Sequence, residues 1–140
     1  MTNGISTPAG SNYGVIYLDE SDVIHEQMQK ARANADFLIV SCHWGTENSH
    51  VINDDQRTYA QQLADWGADL IIGTHPHVVQ DSSMIAGIPV FYSLGNAVSN
   101  MSAANTQLEL AVELKFARST SGDMSMLPPS VTYLWCSRPG

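Results

Sequence analysis

Two short apolar runs, Asp36–Cys42 (DFLIVSC) and Asp69–Gly73 (DLIIG), stand on either side of one well-marked helix. Runs this short and this apolar suit strands covered on both faces. Between them, Asn53 and Gln56 have the spacing of a capping box. Tyr59, Leu63 and Trp66 then fall on one helical stripe, and Gly67 occupies the usual stop position. Strand, helix and strand in this order make a βαβ unit with a right-handed crossover and two parallel strands. Few other folds accommodate that pattern, so the chain reads as α/β.

The remaining segments extend this frame. Residues 1–12 are polar and rich in Gly, Ser, Thr and Asn, as in a flexible leader, and show no signal-peptide pattern. Domain 13–140 follows. Tyr13–Leu18 (YGVIYL) has strand composition. Ser21 is placed to cap a helix from Asp22 to about Ala35, with Ile24, Met28, Ala31 and Ala35 on one face. Ile88–Ser93 reads as another buried strand, Thr106–Ala117 as a longer half-exposed one, Thr120–Met126 as a turn and Val131–Cys136 as a last strand. The sum is a mixed sheet with a parallel βαβ core and antiparallel C-terminal strands.

Three of the buried strands end in polar tails: Cys42-His43-Trp44-Gly45-Thr46-Glu47-Asn48, Thr74-His75-Pro76-His77 and Ser93-Leu94-Gly95-Asn96. Ligands of open α/β sheets bind beyond the carboxyl ends of the strands. If the three strands are parallel neighbours, His43, Glu47, His75, His77 and Asn96 meet on one rim. Neutral imidazole is the commonest transition-metal ligand, and three histidines suffice for some catalytic zinc sites. Pro76 fixes its own φ and biases His75 towards an extended conformation, which would hold both imidazoles on a stiff turn.

Each candidate also has a plainer reading. His43 is equally a strand-end polar residue bonded to backbone. Glu47 is either a carboxylate that orients a histidine or a solvated loop acid. Ser93 and Asn96 either bind substrate or a ligand, or serve the turn around Gly95. Trp44 and Tyr92 read as packing residues, and His25 and His50 as surface histidines. Asp19, Glu20, Asp22, Asp54 and Asp55 lie near helix N-termini, where the dipole favours them.

Charge narrows the partners. The 140 residues carry six Lys+Arg and a formal net charge of -8. Nucleic acid is disfavoured, because its binders neutralise phosphates with Lys and Arg. An anionic membrane surface is disfavoured for the same reason. An anionic substrate would need a metal ion to supply positive charge. No apolar run approaches the ~20 residues that span a bilayer. Cys42 and Cys136 make no disulfide framework. Cys42 reads as a small core residue, and a single bridge between the two stays open.

Together the tails resemble the CapA/PgsA family of bacterial capsule and poly-γ-glutamate synthesis proteins. The matching stretches are Ala35–Val40 leading to His43-Trp44-Gly45-Thr46-Glu47, then Gly67–Gln80, then Phe91–Asn96. The run Gly-x-His-Pro-His followed by Tyr-Ser-Leu-Gly-Asn is specific to that family, and the match extends from about residue 13 to 136.

The resemblance implies a branch of the calcineurin-like metallophosphoesterases, of which this chain is the C-terminal half: a β-sandwich flanked by helices. It implies that His43, His75 and His77 are metal ligands for divalent Mn, Fe or Zn. The Asp-x-His and Gly-Asn-His-Asp motifs of the N-terminal half do not occur, and the one Gly-Asp, Gly122-Asp123, lies in a late turn, so a two-metal centre would be completed by residues outside this chain. The isolated fragment is then expected to be inactive, with an exposed sheet edge that invites homodimerisation.

In the same terms, the partners would be an anionic surface polymer or its precursor and the membrane proteins of capsule synthesis. The full-length protein would be extracytoplasmic and membrane-anchored. Two functions remain: a metal-dependent hydrolase or transferase domain, or a non-catalytic module that organises the synthesis machinery.

Overall fold

The computed structural model describes residues 15–136. The leader proposed for 1–12 lies outside them. Helix α1 spans Ser21–Arg32, β1 Ile39–His43, α2 Asp54–Asp65, β2 Leu70–Thr74, β3 Ser82–Ile85 and β4 Ile88–Phe91. A 3-10 turn at Ala104–Thr106 leads to β5 Leu108–Glu113, β6 Phe116–Arg118, β7 Met124–Met126 and β8 Ser130–Trp135.

The main sheet has the order β1-β2-β4-β3. β1 pairs parallel with β2, from Ile39↔Leu70 to His43↔Thr74, and β2 pairs parallel with β4. The expected βαβ unit is present, and the three strands with polar tails are parallel neighbours. β3 closes the far edge antiparallel to β4. The hairpin between them turns on Ala86 and Gly87, both at positive φ. Ala-Gly is not the usual Asn-Gly signal of such a turn, and β3 has no place in the sequence reading.

α2 follows its sequence signals closely. Asn53 accepts a hydrogen bond from the Gln56 backbone N–H at 2.9 Å, and the Gln56 side chain accepts from the Asn53 N–H at 3.1 Å. Asn53→Ala is expected to cost about 1 kcal/mol, read as a lower urea midpoint at unchanged m-value. A change in midpoint too small to resolve would remove the cap from the stabilising interactions.

α1 departs from expectation at both ends. Its N-cap is Glu20, not Ser21, and no side chain caps it. The Glu20 carboxylate turns back instead and accepts from the Tyr17 N–H at 2.7 Å, while the Glu20 N–H donates to the Tyr17 carbonyl at 3.0 Å. That turn takes up the backbone N–H and carbonyl of Tyr17, and residues 15–18, the described part of the expected strand 13–18, form no strand. At the other end Arg32 pairs with Asp69 and donates to the Ala35 carbonyl at 2.7 Å. Asp69 also accepts from the Leu38 N–H at 2.7 Å. One carboxylate thus ties the end of α1 to the starts of β1 and β2, and the helix stops before Ala35.

The helical face of the sheet holds the larger core: Met28, Cys42, Trp44, Ala60, Leu63, Ala68, Ile71, Val90 and Tyr92. Leu70, Phe91 and Leu110 form a second cluster where β5 crosses the opposite face. β1 is not covered on both faces as expected. It is an edge strand, and Ile39, Ser41 and His43 are exposed. Among the described residues no helix is long and apolar enough to cross a membrane.

The C-terminal strands do not extend the main sheet. β5 pairs with β8, and β6 with β7, as separate antiparallel pairs. The expected continuous strand 106–117 breaks after Glu113, where the Lys115 carbonyl accepts from the Leu127 N–H at 2.8 Å. The expected turn 120–126 is shorter, since Met124–Met126 pairs with β6. Every residue of β8 is exposed, including Val131, Tyr133, Leu134 and Trp135. Both cysteines are free, and burial pushes the Cys42 thiol up to about 12.

His25 is half-buried rather than exposed. Its ring stacks on Trp66 with centroids 5.0 Å apart, because the two helices share the same face of the sheet.

Candidate metal centre

The carboxyl ends of β1, β2 and β4 form a single rim. β1 delivers His43 as its last residue, directly opposite Thr74 of β2. The chain beyond β2 carries His75 and His77, and that beyond β4 carries Ser93 and Asn96.

The local geometry of the histidine turn is not the extended one expected from Pro76. His75 has φ +102° and His77 φ +61°. Histidine is among the residues enriched at positive φ, but such backbone still costs about 1–3 kcal/mol and persists only when its surroundings over-determine it. They do here. Pro76 is fully buried, and its carbonyl accepts from the Asn48 N–H at 2.8 Å. The local bias of an X-Pro pair yields to these tertiary contacts.

The same Asn48–Pro76 bond carries the neighbouring Glu47 to the turn. The loop is further pinned by two buried amides, Gln56 and Gln80. Gln80 donates to the carbonyls of Ser49 and Val51 at 2.9 and 3.2 Å. Gln56 donates to Gln80 at 2.8 Å. The capping-box spacing marks Gln56 as a cap, but no local pattern reveals that it is buried against Gln80. His50 is exposed at the surface, and its Nδ1 lies 2.8 Å from the Val79 carbonyl.

Glu47, His75 and His77 are brought together. One ligand-capable atom from each lies within 4.8 Å of the others. His43 is next to this group rather than in it: its ring lies 4.6 Å from that of His75, centroid to centroid, at 53°. His43 is exposed, and its Nδ1 is 3.4 Å from Thr74 Oγ1. The His75 and His77 rings are 6.1 Å apart. Burial, and then the proximity of His43, hold the His75 imidazole below its usual value, with Glu47 opposing. A neutral imidazole is the ligand form.

Asn96 touches the cluster. Its Oδ1 is 2.8 Å from His77 Nδ1, and its Nδ2 donates to the carbonyls of His77 and Thr106 at 3.2 and 3.1 Å. Gly95, at φ +80°, makes this placement possible. A Cβ there would lie 2.4 Å from the Leu108 carbonyl oxygen, so only glycine lets the 93–96 turn lie against β5. Ser93 is buried, and its Oγ faces the Gly95 N–H at 3.4 Å. Its side-chain contact belongs to the turn, and its carbonyl accepts from the Gln80 N–H at 3.1 Å. Trp44 and Tyr92 are packing residues, stacked with centroids 5.8 Å apart.

A cleft of about 510 Å³ opens beside His43. Asp19, Glu20, Asp55, Tyr17 and Tyr59 line it, so its charged walls are acidic.

Comparison with known proteins gives a consistent result. The family described as "Bacterial capsule synthesis protein PGA_cap" matches residues 3–101. The chain is 33% identical over 115 residues to the PGA biosynthesis protein CapA of Bacillus subtilis (strain 168), covering 82% of this chain and 30% of that protein. It is 32% identical over 114 residues to the capsule biosynthesis protein CapA of Bacillus anthracis, covering 79% and 28%. It is 24% identical over 128 residues to a Mycobacterium tuberculosis protein named "Probable polyglutamine synthesis accessory protein", covering 86% and 34%. The chain therefore spans about a third of the length of the curated relatives it matches. All three polar tails fall within the residues matched by the family, and the chain belongs to the PGA_cap family of bacterial capsule synthesis proteins.

Proposed function

We propose that this chain is the metal-binding portion of a hydrolase or transferase that acts in capsule or poly-γ-glutamate synthesis at the cell envelope. The observation that carries this reading is the approach of Glu47, His75 and His77 within 4.8 Å at the carboxyl ends of parallel strands. Two imidazoles and a carboxylate suit Mn, Fe and Zn alike. Glu47, His75 and His77 would hold one divalent ion, with His43 beside it. A metal so held supplies positive charge and lowers the pKa of bound water.

The chain's own residues do the rest. The Gln56–Gln80 pair fixes the loop that carries Glu47. The buried Pro76 fixes the histidine turn. The acidic cleft beside His43 repels an anionic polymer, so such a substrate must be met by the metal rather than by the walls.

In this reading the domain is a metallophosphoesterase-like half-sandwich. Further ligands of a two-metal centre come from the remainder of the full-length protein. The open β1 edge is where a strand of that remainder would pair, and the exposed apolar side chains of β8 are ones it would cover. The name of the Mycobacterium tuberculosis relative supports a second reading, an accessory module that binds polymer or synthesis machinery without turnover.

The test is metal content. The full-length protein purified without chelator is expected to carry stoichiometric Mn, Fe or Zn, and the His75→Ala/His77→Ala double variant to carry none. Wild-type protein free of such metal would end the metalloenzyme reading. Assays on phosphodiesters and γ-glutamyl amides then separate the two functions: a metal-loaded protein with no turnover of either favours the accessory role.

A further inference from the structure

An amide can be placed in two orientations, and its partners decide between them. Here Asn96 Nδ2 is 3.2 Å from the His77 carbonyl and 3.1 Å from the Thr106 carbonyl. Both partners only accept, so that end of the amide must be the NH2 group. The reverse orientation would set Oδ1 against two carbonyl oxygens inside a buried site. Oδ1 therefore faces His77 Nδ1 at 2.8 Å. A carbonyl oxygen cannot donate, so Nδ1 carries the proton. In a neutral imidazole the lone pair then belongs to Nε2.

We infer that Asn96 is a positioning residue that holds His77 as the Nδ1–H tautomer and so leaves Nε2 as its metal-ligating nitrogen. The inference rests on the proposed reading of His77 as a ligand. Asn96 is itself held rigidly. It is 8% exposed, it is anchored on Thr106, and Thr106 Oγ1 donates to the Ala103 carbonyl at 2.7 Å. The Gly95 turn and the 3-10 turn at Ala104–Thr106 thus converge on one imidazole. Partners that orient a ligating histidine typically change metal affinity about 10–100-fold when removed.

The tautomer can be read without metal. In the metal-free chain labelled with 15N-histidine, long-range 1H–15N correlation spectra are expected to place the His77 proton on Nδ1. A proton on Nε2 in the wild type overturns Asn96's role, whatever the metal does. Zn2+ titration gives the second readout. Asn96→Ala is expected to release the tautomer and weaken Zn2+ binding by about 10–100-fold. Asn96→Asp loses both donors to carbonyls but keeps an acceptor for Nδ1–H. It is expected to retain the tautomer and to bind Zn2+ more tightly than Asn96→Ala.

Equal loss in the two variants would make Asn96 only a loop anchor and sink the proposal. So would Asn96→Ala with unchanged tautomer and affinity. If neither variant folds, the wild-type spectrum still decides. Wild type with the expected tautomer but no Zn2+ binding overturns the metal-ligating half of the proposal together with the metal reading.

Discussion

Gly73→Ala is expected to destabilise the protein by roughly 3 kcal/mol, the upper end of what overpacking a core costs. A Cβ at this position would lie 2.0 Å from the Tyr92 carbonyl oxygen and 2.3 Å from Trp44 Nε1. Neither neighbour is a flexible tip. Trp44 Nε1 donates to that same Tyr92 carbonyl at 2.9 Å, and both side chains are almost fully buried. The extra carbon would have to break the indole–carbonyl bond or push β4 away from β2, the strands that present the histidine turn and the Asn96 turn. Urea denaturation followed by Trp fluorescence measures the loss. A variant within about 1 kcal/mol of the wild type would mean that the β2–β4 contact yields at little cost, contrary to the density of protein interiors.

Glu47→Ala is expected to weaken binding of the first divalent ion by more than the ~100-fold associated with residues that only orient a ligand. His43→Ala is expected to leave that ion bound with a smaller loss. The distinction follows from geometry. Glu47 joins His75 and His77 within 4.8 Å, whereas His43 approaches the group through its ring contact with His75. Zn2+ or Mn2+ titration of the two variants, with folding checked by circular dichroism, gives the ratio. Equal losses would return His43 to the ligand set and reduce Glu47 to an orienting carboxylate.

The Asn53/Gln56 cap and the stripe through Leu63 act over three to four residues, and α2 forms where those signals stand. The apolar runs around Val40 and Ile71 become strands on their local composition, and their parallel pairing follows from the helix between them. β3 is absent from the reading because Ser82-Ser83-Met84-Ile85 alternates weakly and its Ala86-Gly87 turn lacks the Asn-Gly signal. The N-cap of α1 is Glu20 rather than Ser21, and the Glu20 side chain bonds to Tyr17 and not to the helix. The continuous strand through Lys115 is broken by a bond to Leu127, twelve residues away.

The site divides in the same way. Its inventory of two histidines astride Pro76, a histidine and glutamate after β1, and Ser93 and Asn96 after β4 is visible in the chain, as is the family to which it belongs. The sequence by itself determined the βαβ frame and the rim on which these residues meet, because hydrophobic periodicity and helix caps are local and parallel pairing follows from their order.

Only the tertiary structure decided the arrangement on that rim. Glu47 sits with His75 and His77 while His43 stands beside them. His75 and His77 take positive φ against the local bias of Pro76. Asn96 turns its oxygen to His77 because two distant carbonyls claim its nitrogen. Each of these depends on hydrogen bonds between segments far apart in the chain, such as Asn48 to Pro76 and Gln56 to Gln80, which no short window of residues encodes.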